Sequence, residues 1–283
     1  MAQRLDTSSI SFTALYTGQV WVRNGLSGPG FRTPAGALLY GAMTPFEAVG
    51  KRLMGGNIRT FLLQRHHLID ARLEALIADH PDLQIVEIAC GLSPRGSRLR
   101  ARHPGIDYVE ADLPDMARRK QRLLARQGTL DDRHRVETVN ILVADGEHSV
   151  AALLRRLDPA RPVAVVTEGL INYFDLATIS PFWARLAEGL KAFPRGVYLT
   201  DNYPLYANMR FHRTLKTLGG LLGALSRSNV AFHFDSDRAT GADFREQGFA
   251  ALTVHDPADY YEALPIPRTR GTPMVRILEA EAA

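Results

Sequence analysis

The sequence predicts a single α/β domain built on a doubly wound, mostly parallel sheet of about seven strands. Two observations carry this. Between Gln84 and Thr200, short apolar runs alternate with longer arginine-rich stretches of helical character, the pattern of strand–helix–strand units. The first of these runs, Ile85 to Ile88, breaks on three small residues, Ala89-Cys90-Gly91, before a helix. A turn of that kind brings backbone N–H groups close to a charged ligand.

Taken in order, residues 1–55 read as irregular around SGPGFRTPAG and helical towards their end. From Asn57 to Asp79 the apolar residues Ile58, Phe61, Leu62, Leu68, Ile69, Leu73, Leu76 and Ile77 recur at helical spacing, and Pro81 ends the segment. Strands are expected at 84–89, 107–111, 139–143, 163–167 and 196–200, with helices at about 96–102, 114–127, 147–157 and 176–192 between them. Residues 205–228 read as an inserted helical pair. The runs 249–255 and 273–279 are expected to add at the edge of the sheet as an antiparallel hairpin. One domain spans 1–283 on this reading: an N-terminal segment with helices (1–80), a ligand-binding core (81–204), the insert (205–230) and the last part of the sheet (231–283).

Composition narrows the class. Hydrophobic residues at 46% and charged residues at 23% are ordinary for a globular domain. The longest apolar candidate, LGGLLGAL at 218–225, is far short of a membrane span. MAQRLDTSSI carries no apolar run behind its arginine, so a secretory leader is not expected, and the single Cys90 fits a reducing cytoplasm. The net charge of +4 does not signal nucleic acid, because the arginines are dispersed among acids with no accompanying motif.

In open α/β sheets, ligands bind beyond the carboxyl ends of the strands. Four predicted strands end on small or acidic residues. After the first comes Ala89-Cys90-Gly91. After the second come Glu110 and Asp112, the latter at the spacing from the glycine turn where an acid takes ribose hydroxyls, or else caps the helix at Pro114. Asp145 follows the third, placed to accept from an adenine amino group or to form an Asp-Gly turn. Glu168 follows the fourth, and an acid at a buried strand end needs a cation to offset it.

Two rival enzymes fail on chemistry. GLSPRG approaches a nucleophile elbow around Ser93, but the spacing is one residue too long, and Pro94 has no N–H for an oxyanion hole. A dinucleotide oxidoreductase wants G-x-G-x-x-G, from which Ala89 and Pro94 both depart. No metal site is expected: His66 and His67 are adjacent and point apart, and His233 between Phe232 and Phe234 reads as packing.

Together, VEIACGLSPRGSRL, YVEADLPDMARRKQRLL, ILVAD and VVTEGLINYF, with IRTFLLQRHHLIDARLEALI upstream, resemble the leucine carboxyl methyltransferase family, in particular its bacterial tetracenomycin-type polyketide O-methyltransferase branch. The likeness covers about 57–175, and E-x-D-L-P and E-G-L-x-x-Y are its most specific pieces. The resemblance implies a class I, Rossmann-like methyltransferase fold using S-adenosylmethionine. It implies that Arg65 and Arg95 hold the cofactor's carboxylate, Ala89 and Gly91 line its close approach, Asp112 takes the ribose, Asp145 reads the adenine, and Glu168 sits near the ammonium. Ala89, Ser93 and Pro94 depart from the family pattern.

The reaction so implied is an in-line transfer of a methyl group to a carboxylate or hydroxyl oxygen of a small, polyketide-like or aromatic acceptor. Asn172, Tyr173, Asp201 and Tyr203 follow the fourth and fifth strands and are the acceptor-side candidates. The insert and the N-terminal segment with Trp21 and Phe31 are expected to cover the acceptor. A protein carboxyl methyltransferase and a non-catalytic S-adenosylmethionine-binding protein are the alternatives.

Overall fold

The computed structural model describes residues 7–54, 56–204 and 231–282. Helices α1 (Thr7–Arg23), α2 (Pro34–Met54) and α3 (Ile58–Asp79) precede a seven-stranded sheet. Its strands are β1 (Gln84–Ile88), β2 (Asp107–Asp112), β3 (His134–Thr138), β4 (Val163–Thr167), β5 (Gly196–Asn202), β6 (Phe249–His255) and β7 (Arg276–Ala282). Helices α4 (Arg95–Arg102), α5 (Pro114–Gln127), α6 (Val150–Leu154), α7 (Leu176–Leu190) and α8 (Asp237–Glu246) connect them. The strand order is β3-β2-β1-β4-β5-β7-β6, with the first five parallel and β7 antiparallel to both neighbours. The chain reverses its direction of winding between β1 and β4, and a crevice opens there at the strands' carboxyl ends.

Both faces of the sheet are covered: every residue of β1, β4 and β5 is buried, polar residues such as Glu87 and Asp201 included. One face packs on α7, which turns Ile179, Phe182, Trp183, Leu186 and Leu190 inward at helical spacing. The other packs on α3 through Leu68, Ile69, Leu73 and Leu76. Local signals set the helix ends. Asn57 caps α3 by accepting from Thr60 N–H at 2.9 Å, and Asp175 caps α7 through Thr178. Pro114 opens α5, and Gly128, at φ +65°, closes it.

Two expectations are corrected. The third strand is His134–Thr138, not 139–143, because its ladder to β2 begins at Tyr108↔His134, where buried His134 meets Glu110. The apolar run that follows leaves the sheet and lines the crevice instead. The N-terminal region is helical from Thr7: Gly25, Gly28, Pro29 and Gly30 fall in the link between α1 and α2, while Gly18, Gly36, Gly41, Pro34 and Pro45 are accommodated within the two helices. The two C-terminal runs do form an antiparallel hairpin at one end of the sheet, with β6 at the edge and β7 inserted between β5 and β6. The predicted insert at 205–228 lies outside the described residues.

Candidate active site

The crevice is an open cleft at the carboxyl ends of the strands. Each neighbouring strand contributes a wall: Ile88 and Ala89 from β1, Asp112 and Leu113 from β2, Asn140 and Ile141 from the segment after β3, Leu170 and Phe174 from the turn after β4. The walls are apolar, and Asp112 supplies the charge.

Asp112 is held in place by backbone donors. Its Oδ2 accepts from Gly91 N–H at 2.8 Å and its Oδ1 from Leu113 N–H at 2.7 Å. Each carboxylate oxygen keeps a lone pair for a further donor. Burial raises its pKa, and the two N–H bonds oppose that rise. Glu110, the competing acid, is elsewhere: it lies fully buried, with His134 at 2.8 Å and Lys120 paired to it.

The turn after β1 is strained. Ala89 has φ +55°, the left-handed region that glycine adopts freely, and Gly91 follows at φ +49°. Helix α1 packs over this turn: a Cβ on Gly91 would lie 3.3 Å from Ala14, and one on Gly18 would lie 3.1 Å from Leu92.

Beside the cleft, β4 ends on Glu168, the centre of a buried ion network. Arg65 Nε donates to Glu168 Oε1 at 3.0 Å, Arg95 Nη2 donates to Oε2 at 2.6 Å, and His66 Nδ1 lies 2.8 Å from Oε2. Burial alone would raise the Glu168 pKa, but His66, Arg95 and Arg65 outweigh it and hold the carboxyl well below its usual range. Arg65 also donates from Nη1 to Asp201 at 3.1 Å and to the Tyr203 hydroxyl at 3.2 Å, and Asp201 accepts from Gly169 N–H at 2.5 Å.

Of the residues the sequence singles out, Ala89 and Asp112 line the cleft, and Gly91 fixes Asp112. Arg65, Glu168, Asp201 and Tyr203 share one cluster. Arg95 belongs to the network but is fully buried, with Nε spent on Asp70 at 2.6 Å, Nη1 on Glu87 and Nη2 on Glu168. It therefore fixes α4 to α3 and the sheet and is not free to reach a ligand. Asp145 is exposed and does not line the cleft, because the strand ends early and Asn140 takes the place beside the wall. Trp21 stacks on His66 at 4.2 Å, and Phe31 is buried against Lys120, so both rings are engaged within the protein. Tyr173 is half-buried beside Phe174.

Sequence reasoning missed three residues. Asn140 escaped because the strand was displaced; its Oδ1 accepts from Leu142 N–H at 3.0 Å. Arg185, on α7, donates to the Ile141 carbonyl at 2.9 Å and holds that wall from behind. His66 was read only as half of a metal pair, yet it contacts Glu168 while Arg98 Nη2 lies 2.8 Å from its Nε2.

Residues 39–183 match the family described as leucine carboxyl methyltransferase. The chain belongs to that family. A protein of Mycobacterium leprae (strain TN), named as an S-adenosyl-L-methionine-dependent methyltransferase, is 34% identical over 105 residues, 37% of this chain and 34% of the relative. The match thus spans about a third of that relative's length. Among solved structures, one named as a methyltransferase from Thermobifida fusca YX superposes with a TM-score of 0.60 at 12% identity, over 98% of this chain and 95% of the other. An O-methyltransferase family protein from Burkholderia thailandensis gives a TM-score of 0.55 at 15% identity, over 96% and 72%. These likenesses establish a class I methyltransferase fold for the family member described here. Among the described residues no helix is long and apolar enough to cross a membrane.

Proposed function

We propose that this family member is an S-adenosylmethionine-dependent O-methyltransferase acting on a small acceptor. The observation that carries the reading is the cleft at the β1–β4 switch point, apolar on its walls and charged only at Asp112. That donor set fits the cofactor. The apolar walls around Ile88, Ile141 and Leu142 suit a flat aromatic base, and the free lone pairs of Asp112 suit the paired hydroxyls of a ribose. The relative from Mycobacterium leprae carries the same cofactor in its name.

When bound, the cofactor supplies an electrophilic methyl group on a sulfonium. The chain supplies position. Asp112, anchored by Gly91 and Leu113 N–H, would hold the ribose hydroxyls, and Asn140 would be at hand for the base. Arg65, held by Glu168, Asp201 and Tyr203, would offer positive charge to the cofactor's carboxylate, and Glu168 negative charge to its ammonium. Leu170 and Phe174 would give the bound cofactor an apolar wall. Transfer then needs only an acceptor oxygen in line with the methyl carbon and opposite the sulfur. A carboxylate arrives already ionised, whereas a phenol must give up its proton to a base.

A second reading, methylation of a carboxyl group on a protein, is favoured by the family match itself. Calorimetry with S-adenosylmethionine, with NAD as control, tests the first step. Saturable binding that Asp112→Ala weakens tenfold, about 1.4 kcal/mol, supports the reading, and tight binding of NAD alone overturns it. Radiolabelled methyl transfer in cell extract then separates the acceptors. Label in small molecules supports the first reading, and label in a protein band the second.

A further inference from the structure

Asn172 is the middle residue of the short turn Ile171–Tyr173 after β4, and it is buried. Its polar groups are spent on two segments remote in sequence. The side-chain Nδ2 donates to the Ala231 carbonyl at 2.7 Å, and the Asn172 carbonyl accepts from Ala231 N–H at 2.8 Å. The side-chain Oδ1 accepts from Tyr203 N–H at 3.3 Å. The exchange with Ala231 copies the two-bond pairing of antiparallel strands, with a side-chain amide standing in for a peptide. The amide offers a donor to one backbone and an acceptor to another, as an ionised carboxylate of the same shape does not.

The contacts meet where the two halves of the candidate site join. On one side, Leu170 and Phe174 wall the cleft. On the other, the Tyr203 hydroxyl accepts from Arg65, and Asp201 holds Gly169 N–H. We infer that Asn172 is a positioning residue: by tying Tyr203 and Ala231 to the turn after β4, it sets the spacing between the Leu170–Phe174 wall and the Arg65 cage. The purpose of that spacing rests on the methyltransferase reading; the geometry does not.

Two variants and two readouts test it. Hydrogen exchange without ligand, read on peptides spanning 169–174 and 199–204, should rise at least about fivefold in both segments of Asn172→Ala, and its S-adenosylmethionine affinity should fall by a similar factor. In Asn172→Asp an oxygen replaces Nδ2. As a carboxylate it repels the Ala231 carbonyl, and as a neutral acid it donates there as the amide does. Its affinity relative to wild type should therefore recover as pH falls from about 8 to about 5. The titratable and charged groups around the turn are His233, whose Nε2 lies 3.0 Å from the Ile171 carbonyl and whose pKa burial lowers, Asp175 and Asp243 near it, Asp201, and Arg65 with Glu168 beyond Tyr203; all are present in the wild type, whose own profile is divided out.

Exchange that rises only around Ala231 while both segments stay unchanged would overturn the inference. So would an Asn172→Asp variant whose relative affinity ignores pH. If Asn172→Ala does not fold, the Asn172→Asp profile decides alone. Failure of the wild type to bind S-adenosylmethionine would sink the methyltransferase reading, and the exchange data would still judge Asn172.

Discussion

The guanidinium of Arg65 lies directly beneath Gly169: a methyl group at Gly169 would come within 2.6 Å of Nη2. Gly169 also has φ +68°, so an alanine there is strained as well as obstructive. Gly169→Ala is expected to displace Arg65, to weaken S-adenosylmethionine binding about tenfold or more, and to lower the Tm by several degrees. Gly128→Ala is the control. It has nearly the same φ, +65°, and open space around it, so it should lower the Tm and leave the affinity unchanged. Equal affinity in the two variants would refute the placement of Arg65 at the ligand.

Asp112 and Asp145 are expected to separate cleanly. Asp112→Asn keeps the shape but loses charge, and Asp112→Ala removes the side chain from the cleft wall. Affinity should fall in that order. Asp145→Asn, at an exposed position off the cleft, should bind as the wild type does. Calorimetry at one pH and salt concentration decides it, and a large loss at Asp145 would return the adenine contact to that residue.

Ala89 stores strain at the heart of the site. A non-glycine residue in the left-handed region costs roughly 1–2 kcal/mol, part of which glycine returns through the greater freedom of the unfolded chain. Ala89→Gly should therefore stabilise the protein by about 0.5–1 kcal/mol, read from the denaturation midpoint at constant m-value. A loss of stability would mean that the alanine methyl contributes more to packing in the cleft than its backbone costs.

Acid should unpick the ion network through Asp70. Burial acts to raise this carboxyl, yet His66, Arg95 and Arg98 hold it down to about 2. A folded-state value below the unfolded one means stability that is present above about pH 4 and lost as pH falls towards 2, of order 2 kcal/mol. Asp70→Asn should lower the Tm at neutral pH and flatten the fall in Tm between about pH 4 and 2. A variant with the wild-type acid limb would show that other carboxylates carry it.

The sheet was legible because its central strands are buried on both faces and read as short, mostly apolar runs, unbroken over 163–166 and interrupted over 85–88 only by Glu87. The same signal misled at 139–143, where the apolar side chains of Val139 and Ile141 face a ligand cleft instead of a neighbouring strand. Hydropathy does not distinguish those two destinations. Glu168 and Asp112 stood out because acids at strand ends are costly, and the structure gives each of them partners. The network behind them did not show: Asp70, Glu87 and Arg95 are single charged residues in three separate elements, and only the packing of α3, β1 and α4 brings them together. Ala231 and Tyr203 meet at Asn172 for the same reason, through contacts that no local pattern encodes.

The place of β7 has a consequence for biosynthesis. The strand lies between β5 and β6 but follows both in the chain. As the polypeptide is translated, β5 is made long before the partner that covers its open side, and its row of unpaired N–H and C=O groups, flanked by buried Val197 and Leu199, stays available to other chains. During that interval the nascent protein depends on dilution or a chaperone to stay out of aggregates, and damage to β7 should be felt as poor yield before it is felt as lost activity.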